Sequence, residues 1–476
     1  MFRIFLISLM CLYSRDIFSQ KALEINDFIN NVESSSEIAR SAKYTELNNK
    51  EYRLFNKSFL PDFSLNFSLP SYNRSISEVM QPDGSYAFRE SNSANSKVSL
   101  SLTQKIPFTG GKITISNSLN RLDLFGDDQR STSYSASWLG INFSQSLTFF
   151  NEMKWENKIQ QAKYNYNNLI NRQKRIDIKK AAVRHYFELA KIKKQAVLID
   201  AEWISASKYK KIVKDLISAG RIMAYDSIDV ELRLLDIQRN QVFLKKGEAL
   251  KIKSINSFFN SEIIRDSDQL PVPGLNFEVQ SPDAYIESYL LVHQIVAANS
   301  LTGLDKNIRQ LQSMKYYSAN LSLGVGFNNA TDQYQDIFKD PNQSQNFSIS
   351  LSLPLLDFGK RKTEFQISKT KYEIEALNLE LDKRNTIERI NLTVQEIRDL
   401  YEALKIEKSR SALLQNKLKL MEKLLFAQKV LYAEYSDAER LSYDANIEIM
   451  NITEQIYNKV TDLEQITLTD IIKYEN

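Results

Sequence analysis

The residue types that most often carry enzyme chemistry are scarce in this 476-residue sequence. It contains two histidines, His185 and His293, and one cysteine, Cys11. Both histidines fall in stretches of helical periodicity without a second ligand at metal-site spacing, which favours packed or interfacial roles. No carboxylate pair, catalytic triad, phosphate loop or metal cluster can be recognised. The sequence therefore predicts a protein that is not an enzyme, has no metal site and needs no cofactor.

The overall composition argues against nucleic acid as a binding partner. Lysine and arginine number 62 against 58 aspartates and glutamates, so no strong basic field favours nucleic acid. Hydrophobic residues at 43% and charged residues at 25% are ordinary for a folded chain. Glycine and proline are few, at 12 and 9. The sequence therefore indicates a folded protein without a nucleic-acid partner.

The N-terminus has the pattern of a secretory signal. Arg3 supplies a basic start, Ile4 to Tyr13 supply an apolar core, and Ser19 is a small residue near a plausible cleavage point. A membrane anchor is the alternative, but the apolar run is too short to span a bilayer. Residues 1–20 are therefore predicted to be a signal peptide. Since Cys11 lies within it, the mature chain would have no cysteine.

Glycine and proline are concentrated in three regions, residues 61–140, 271–282 and 324–359. The stretches 151–219 and 360–476 contain neither, and both are rich in good helix formers. We therefore expect long continuous helices there. The first would be about 100 Å long, which is too long for an ordinary compact domain and demands an extended partner surface.

The glycine- and proline-rich regions alternate apolar and polar residues, as in Phe63–Leu69 and Phe347–Leu353. Strict period two predicts strands with two different faces. The polar partner is repeatedly serine, which suits the wall or lumen of a β-barrel better than a solvated sheet face. More strand is expected in the first half than in the second. Predicted strands lie at 96–106, 111–122, 136–148, 317–328 and 346–356, and predicted polar loops at 71–95, 123–135 and 328–345.

The two halves of the chain repeat one order of elements. Phe143–Asn151 aligns with Ile349–Asp357, and each segment ends a strand before a long helix. Such self-similarity predicts a duplicated architecture of helix, strands, long helix and returning helix. The first repeat would span 21–260, with helix 22–58, strands 61–148, long helix 151–218 and return helix 222–259. A connector at 261–282 would follow, and its prolines make it non-helical. The second repeat would span 283–476, with helix 283–316, strands 317–356, long helix 358–431 and return helix 435–470.

Over essentially the whole mature chain, this order resembles the TolC-like outer-membrane efflux protein family. Local marks of the resemblance are Leu60-Pro61 opening the first strand and the junction Pro354–Gly359. The resemblance implies a mainly α fold with a transmembrane β-barrel, in which three chains form an α-barrel tunnel continuous with that β-barrel. It implies a homotrimer in the outer membrane of a Gram-negative-type envelope, with a tunnel in the periplasm. The expected function is a passive exit duct of a tripartite efflux or secretion system, docked to a periplasmic adaptor and an inner-membrane transporter.

The family also has a helix-tip motif, a glycine followed six positions later by an acid. In the first half this motif is matched by Gly220 and Asp226, and glycine suits the turn between antiparallel helices. In the second half the same register gives Ala433 and Glu439, without the glycine. The resemblance thus suggests a periplasmic gate of carboxylates, although solvated acids near helix starts are the simpler alternative. The candidate gate residues are Asp226, Asp229 and Glu439, and the candidate residues of the tip turns and adaptor docking are Gly220, Arg221, Ala433 and Ser436.

The same alignment predicts unequal long helices. From Asn151 to Gly220 is 69 positions, and from Asp357 to Ala433 is 76. The difference of seven is one heptad, which would extend the second helix by about two turns with the same face inward. We therefore expect the second turn near Ala433.

Aromatic residues cluster around one strand end, at Trp138, Phe149, Phe150 and Trp155. They suit an ordinary core or a belt at a membrane interface, where outer-membrane lipid would be the partner. The nature of the cargo is not indicated by the sequence. A secreted trimeric coiled-coil structural or surface protein is the alternative function, but it would not need strand blocks at two matching positions.

Overall fold

The computed structural model describes residues 22–125, 130–148, 150–220, 223, 225–275, 277–314, 317–427, 429, 430 and 432–472. The predicted signal peptide and the candidate residues Arg221 and Phe149 lie outside these ranges. No helix in the described ranges has an apolar stretch long enough to cross a lipid bilayer.

Long helices and one antiparallel sheet make up the structure. The helices are α1 (Ile25–Asn30), α2 (Ser36–Lys57), α3 (Glu152–Ser218), α4 (Tyr225–Phe259), α5 (Pro282–Ser313), α6 (Lys360–Phe426) and α7 (Tyr432–Thr467), with short 3₁₀ turns at Asn31–Ser34 and Tyr334–Asp336. The strands are β1 (Asp62–Met80), β2 (Tyr86–Ile106), β3 (Gly111–Phe125), β4 (Arg130–Ser146), β5 (Ser318–Thr331) and β6 (Asn342–Ser352).

The strands form a single sheet in the order β1-β2-β3-β4-β5-β6, and each neighbouring pair is antiparallel. Four strands come from the first half of the sequence and two from the second, which confirms the predicted excess of strand in the first half. The prediction of a loop at 71–95 is wrong. Residues 71–80 pair with 86–95 as a long hairpin, and Gly84 turns it with φ +83°. Apolar and polar residues alternate less regularly there than in the rest of β1.

Pro70 lies inside β1, where a proline would normally interrupt pairing. The register of β1 against β2 shifts between Ser68 and Ser71, so this irregularity includes the proline. Within the chain, β1 is an edge strand and has one neighbouring strand, β2. The missing N–H of Pro70 therefore breaks no hydrogen bond to a second strand. The strand therefore continues past a residue that sequence patterns treat as a breaker.

Both long helices begin at a capping side chain. Asn151 accepts the backbone N–H of Lys154 at 3.0 Å, and its amide donates to the carbonyls of Pro107 and Phe108 at 2.7 and 3.0 Å. Asp357 accepts the N–H of Gly359 at 2.9 Å before α6. Asparagine and aspartate satisfy the free N–H groups at a helix start. Asn151 also fixes the β2–β3 turn to the start of α3.

The two long helices have the same length. Both α3 and α6 contain 67 residues, so the expected difference of one heptad is wrong. The second helix ends at Phe426, well before the 431 that we predicted, and α7 starts at Tyr432. The N–H of Lys429 bonds the carbonyl of Leu424 at 2.9 Å, the six-to-one bond of a Schellman helix end. The helix thus terminates without a glycine to mark the place.

The chain divides into two compact units, and the sheet belongs to the unit formed by Leu47–Asn167 and Ile295–Leu381. Within this unit, Tyr52 stacks on Tyr164 with ring centroids 4.5 Å apart. Lys306 on α5 pairs with Glu152 and Glu156 on α3. These contacts pack the helix segments of the unit against each other.

The other unit comprises Met1–Glu46, Asn168–Gln294 and Asp382–Asn476 and contains an aromatic core. Phe28 is fully buried, with its ring 5.1 Å from Tyr186 and 5.7 Å from Phe259. Phe187 packs on Tyr457 with centroids 5.6 Å apart. The two contacts of Phe28 are edge-to-face, and such contacts add to the stability from burial alone. The core therefore joins α1, α3, α4 and α7.

Residues 260–281 contain no helix within the described part of the chain, as their prolines predicted. Asn256 holds the start of this segment, because its side-chain oxygen accepts the N–H groups of Ile263 and Ile264 at 3.0 and 3.1 Å. Farther on, the hydroxyls of Tyr186 and Tyr457 donate to the carbonyls of Pro271 and Gly274 at 2.5 and 2.8 Å. The segment is therefore an ordered connection fixed to the aromatic core.

A buried ion pair joins α3 to α7 in the same unit. Nζ of Lys179 lies 2.8 Å from Oε2 of Glu464, and both side chains are almost fully enclosed. Oε1 of Glu464 also accepts the N–H groups of Ile471 and Ile472, at 2.9 and 2.8 Å. One carboxylate therefore fixes both the helix pair and the chain segment that follows α7.

Candidate functional site

The first helix tip turns at Gly220, as the sequence predicted. Gly220 has φ +69°, in the left-handed region that glycine adopts most easily, and its N–H bonds the carbonyl of Ile217 at 2.9 Å. Asp226 lies in the first turn of α4, where the helix dipole favours acids, but its side chain is outside the described part of the structure. Asp229 lies one turn later with an exposed side chain.

The second tip does not turn at Ala433. The turn lies between Phe426, the end of α6, and Tyr432, the start of α7, and Ala433 and Ser436 already belong to the first turns of α7. Our alignment placed the turn too late because it assumed that Ala433 replaces the glycine. Ala433 is exposed and Ser436 is half-buried.

Glu439 is only 3% exposed and lies against α3 within the chain. Three hydroxyls surround its carboxylate. Ser205 and Tyr443 donate to Oε1 at 3.1 and 2.9 Å, and Tyr435 donates to the same oxygen at 3.3 Å. Of the three acids that we singled out, Glu439 is therefore held between helices, while Asp229 faces solvent in the single chain.

The surroundings of Glu439 favour its neutral form. Burial raises its pKa above the usual value, and repulsion from Glu202 raises it further, while the hydrogen bonds from Tyr443, Ser205 and Tyr435 act in the opposite direction. Glu202 is itself buried and pairs with Arg233 on α4. Two buried carboxylates thus share a site with one paired arginine.

Stacked aromatic rings enclose the same site. The rings of Tyr209 on α3 and Tyr432 on α7 lie 4.2 Å apart and nearly parallel, at 9°. Lys210 pairs with Glu231 on α4 at 3.0 Å. Sequence spacing did not reveal the roles of Ser205, Tyr209 and Glu202, because their contacts cross from one helix to another. The cluster connects α3, α4 and α7 near their tips.

The sheet has one polar and one apolar face. Directly paired residues share a face, so the registers define rows across all six strands. Three such rows, which we call the central polar rows, lie entirely in the described part of the sheet. They contain Asp62, Thr103, Thr114, Asn142, Gly324 and Asn346; Ser64, Ser101, Ser116, Gly140, Gly326 and Ser344; and Asn66, Ser99, Ser118, Ser137, Asn328 and Asn342.

The opposite face is apolar at both edges of the sheet. Phe63, Leu65 and Phe67 on β1 are more than half exposed, and Phe347 and Ile349 on β6 are as well. So large a contiguous exposed apolar surface is unusual for a soluble monomer and marks contact with a partner or a lipid phase. The sheet therefore has one face suited to an apolar environment and one suited to a polar environment.

Two of the candidate aromatics, Trp138 and Trp155, have different partners in the structure. Nε1 of Trp138 donates to the carbonyl of Ile337 at 3.0 Å, and its ring lies 6.2 Å from that of Phe338. Trp155, on α3, has the ammonium of Lys158 4.5 Å from its ring centroid. Phe150 is half-buried just before α3. The first two side chains thus have different surroundings.

Both histidines lie beside aromatic rings. His185 packs on Phe258 at 4.9 Å, and Nδ1 of His185 lies 2.9 Å from Nζ of Lys251. Burial and the charge of Lys251 lower its pKa, so the ring is neutral near pH 7. His293 lies 6.0 Å from Tyr289. In the described ranges, no three histidine, cysteine, aspartate or glutamate side chains are grouped to hold a metal ion.

Comparison with known proteins identifies this arrangement. Residues 296–467 match the sequence model of the outer membrane efflux protein family. Over this part of its length, the chain is similar to that family. This confirms the resemblance that the duplicated order of elements suggested. No curated protein sequence is significantly similar to this chain.

Solved structures of outer-membrane proteins and channels share the fold over nearly the whole chain. The outer-membrane channel OprN is 12% identical, with a TM-score of 0.67 over 93% of this chain and 89% of its own. VceC of Vibrio cholerae is 10% identical, with a TM-score of 0.65 over 95% and 97%. The MtrE channel of Neisseria gonorrhoeae is 14% identical, with a TM-score of 0.59 over 95% and 91%. The predicted fold class, mostly helical with a strand region of this family's type, is therefore confirmed.

Proposed function

We propose that this chain is the outer-membrane exit duct of a tripartite efflux or secretion system. Three copies would form a passive conduit, with a periplasmic adaptor and an inner-membrane transporter docked to it. Two findings together support this proposal. Residues 296–467 match the sequence model of the efflux family, and more than nine-tenths of the chain has the fold of outer-membrane channels. The apolar face of the sheet supports a location in the outer membrane, and the polar face supports a water-filled passage.

At the helix tips we propose two different roles for the acids. Asp226 and Asp229, at the start of α4, would converge from three copies as a negatively charged gate. Glu439 would act from inside the chain, because its burial against Ser205 holds α7 to α3. The turn at Gly220 and Arg221 and the turn between α6 and α7, with Ala433 and Ser436 beside the second, would provide the adaptor surface.

Trp138, Phe149, Phe150 and Trp155 would serve at the membrane interface. Tryptophan suits that zone because its ring is apolar and its N–H is a donor. The cation–π contact of Lys158 with Trp155 places a charge beside such a ring. Different side chains of the set would therefore lie at different depths of the interface.

Deletion of the gene, with the wild-type gene restored from a plasmid, tests the proposal. The deletion strain should accumulate a fluorescent efflux substrate or become sensitive to toxic compounds, or fail to secrete a protein, and the plasmid should reverse the defect. The purified protein should come from the outer-membrane fraction, run as a trimer in detergent and conduct ions in a planar bilayer. A secreted coiled-coil protein would instead appear in the medium without conductance, and that result would exclude the duct.

A further inference from the structure

The central polar rows have an unusual chemistry for a passage wall. Seventeen of their eighteen residues are serine, threonine, asparagine or glycine, and Asp62 is the single charged residue among them. Charged residues flank the rows. Lys105 and Lys112 pair with each other on one side, and Lys97 lies on the other.

Several of these side chains are held close to one another. The hydroxyls of Ser64 and Ser101 lie 2.8 Å apart, so one donates to the other. At the β4–β5 pair the packing is tighter still, since a Cβ on Gly324 would lie 2.6 Å from Oδ1 of Asn142. A Cβ on Gly326 would lie 2.7 Å from the carbonyl oxygen of Leu139. At Gly326 the close atom belongs to the backbone, so a longer side chain does not fit there, whereas at Gly324 the side chain of Asn142 would have to move.

We infer that the central polar rows line the passage and select neither cations nor anions, so that neutral, zwitterionic and ionic solutes pass this part of the conduit alike. This inference rests on the proposed duct. Hydroxyl groups and amides both donate and accept hydrogen bonds, so they can replace water around a solute of either sign. A wall with fixed charges of one sign would instead concentrate its counter-ions and repel the other sign. Any selection of solutes by charge would then occur in other parts of the conduit.

A cysteine at Ser101 measures the local potential directly. The only cysteine of the chain is Cys11, in the predicted signal peptide, so Ser101→Cys would introduce a single thiol into the mature protein. The probes are two methanethiosulfonate reagents, one with a trimethylammonium group and one with a sulfonate group. In the trimer, we expect the ratio of their reaction rates to stay within about twofold of the ratio for a free thiol. Lys97 and Lys105 each lie four residues from Ser101 along β2, about 13 Å away and beyond a Debye length, and the single carboxylate of Asp62 opposes them in sign.

Two further variants make the measurement decisive. Ser64→Glu combined with Ser101→Cys places a carboxylate next to the thiol and should shift the ratio toward the cationic reagent by about tenfold. Ile349→Cys, on the apolar face, should react with neither reagent in the membrane. If Ser101→Cys does not form trimers, Ser344→Cys, in the same row, serves in its place.

The outcomes separate this inference from the proposed function. If the protein neither forms trimers nor conducts, the duct itself is excluded. If it conducts but the thiol is unreactive, the polar face does not line the passage. If it conducts and the unmodified wall already shows a tenfold bias toward one reagent, the wall selects by charge and the inference is overturned.

Discussion

The hydroxyl of Ser205 on α3 lies 3.1 Å from Oε1 of Glu439 on α7 and joins the two helices near their tips. Tyr435 and Tyr443 donate to the same carboxylate from α7 itself. Of the three hydroxyl donors, Ser205 is therefore the one that belongs to α3, the helix packed against α7. A change at either residue acts on the contact between α3 and α7.

Replacing Glu439 by alanine should destabilise the protein. The substitution leaves the half-buried hydroxyl of Tyr443 without its acceptor, removes the link from Ser205, which still donates to the carbonyl of Glu202 at 3.0 Å, and opens a cavity. Together these losses cost about 1–3 kcal/mol. Glu439→Gln keeps an acceptor oxygen and the side-chain volume, so its melting temperature should stay close to the wild-type value. The measurement is thermal unfolding in detergent, with the exposed Asp229→Asn as the control that changes nothing. Equal losses in the alanine and glutamine variants would contradict the hydrogen-bond account.

Glu439 should also make stability depend on pH. Its pKa is raised in the folded state, mainly by burial, above the ordinary value of 4.5. The stability that it contributes is therefore fully present below about 4.5 and is lost as the pH rises through the raised pKa. The melting temperature of the wild type minus that of Glu439→Gln should accordingly fall as the pH rises from 4 upward. A difference that is constant or rises over this range would show that the pKa is not raised.

Removing the cation of the buried pair should be costly. Lys179→Met leaves the carboxylate of Glu464 buried without its counter-charge, and we expect a loss of about 3–5 kcal/mol. The matched control is Lys43→Met, which breaks the exposed pair with Glu46 and should leave the melting temperature unchanged. Thermal or denaturant unfolding of both variants provides the comparison. Similar small effects in the two variants would mean that Glu464 is neutralised in another way.

Two glycine-to-alanine substitutions should have opposite effects. Gly220 has φ +69° and open space around the position of a Cβ, so Gly220→Ala carries only the conformational cost of about 1 kcal/mol. Gly247 lies inside α4, also with open space, so Gly247→Ala should stabilise the helix by about 0.5–1 kcal/mol. Melting temperatures of the two variants should move in opposite directions. A stabilised Gly220→Ala would show that the first tip does not require the left-handed conformation.

Sequence patterns identified the long helices and most strands because glycine and proline are so unevenly distributed. They failed where an element ends without such a residue. The end of α6 at Phe426 depends on a bond between the N–H of Lys429 and the carbonyl of Leu424, and backbone bonds leave no mark in the sequence. The strand pairing of 71–95 was missed because Pro70 and the many serines there resemble a loop.

The candidate acids show the same limit at the level of side chains. The motif spacing predicted which residues lie near the tips, and Gly220 does turn the first one. Spacing along one helix did not show that Glu439 faces α3, since that depends on how the helices pack. The partners Ser205 and Glu202, more than 230 positions earlier, could only be identified from the folded chain.

The bond between Lys179 and Glu464 also bears on the order in which the chain can fold. The two residues are 285 positions apart, and Glu464 lies within the last thirteen residues of the sequence. Under the proposed export, a chain that crosses the inner membrane from its N-terminus could not pair Lys179 with Glu464 until residue 464 had crossed. Contacts between distant positions form slowly, so α3 would remain in the periplasm with an incomplete interface until then. During this interval the chain would be a substrate for periplasmic chaperones and proteases, and variants truncated before Glu464 should be degraded rather than assembled.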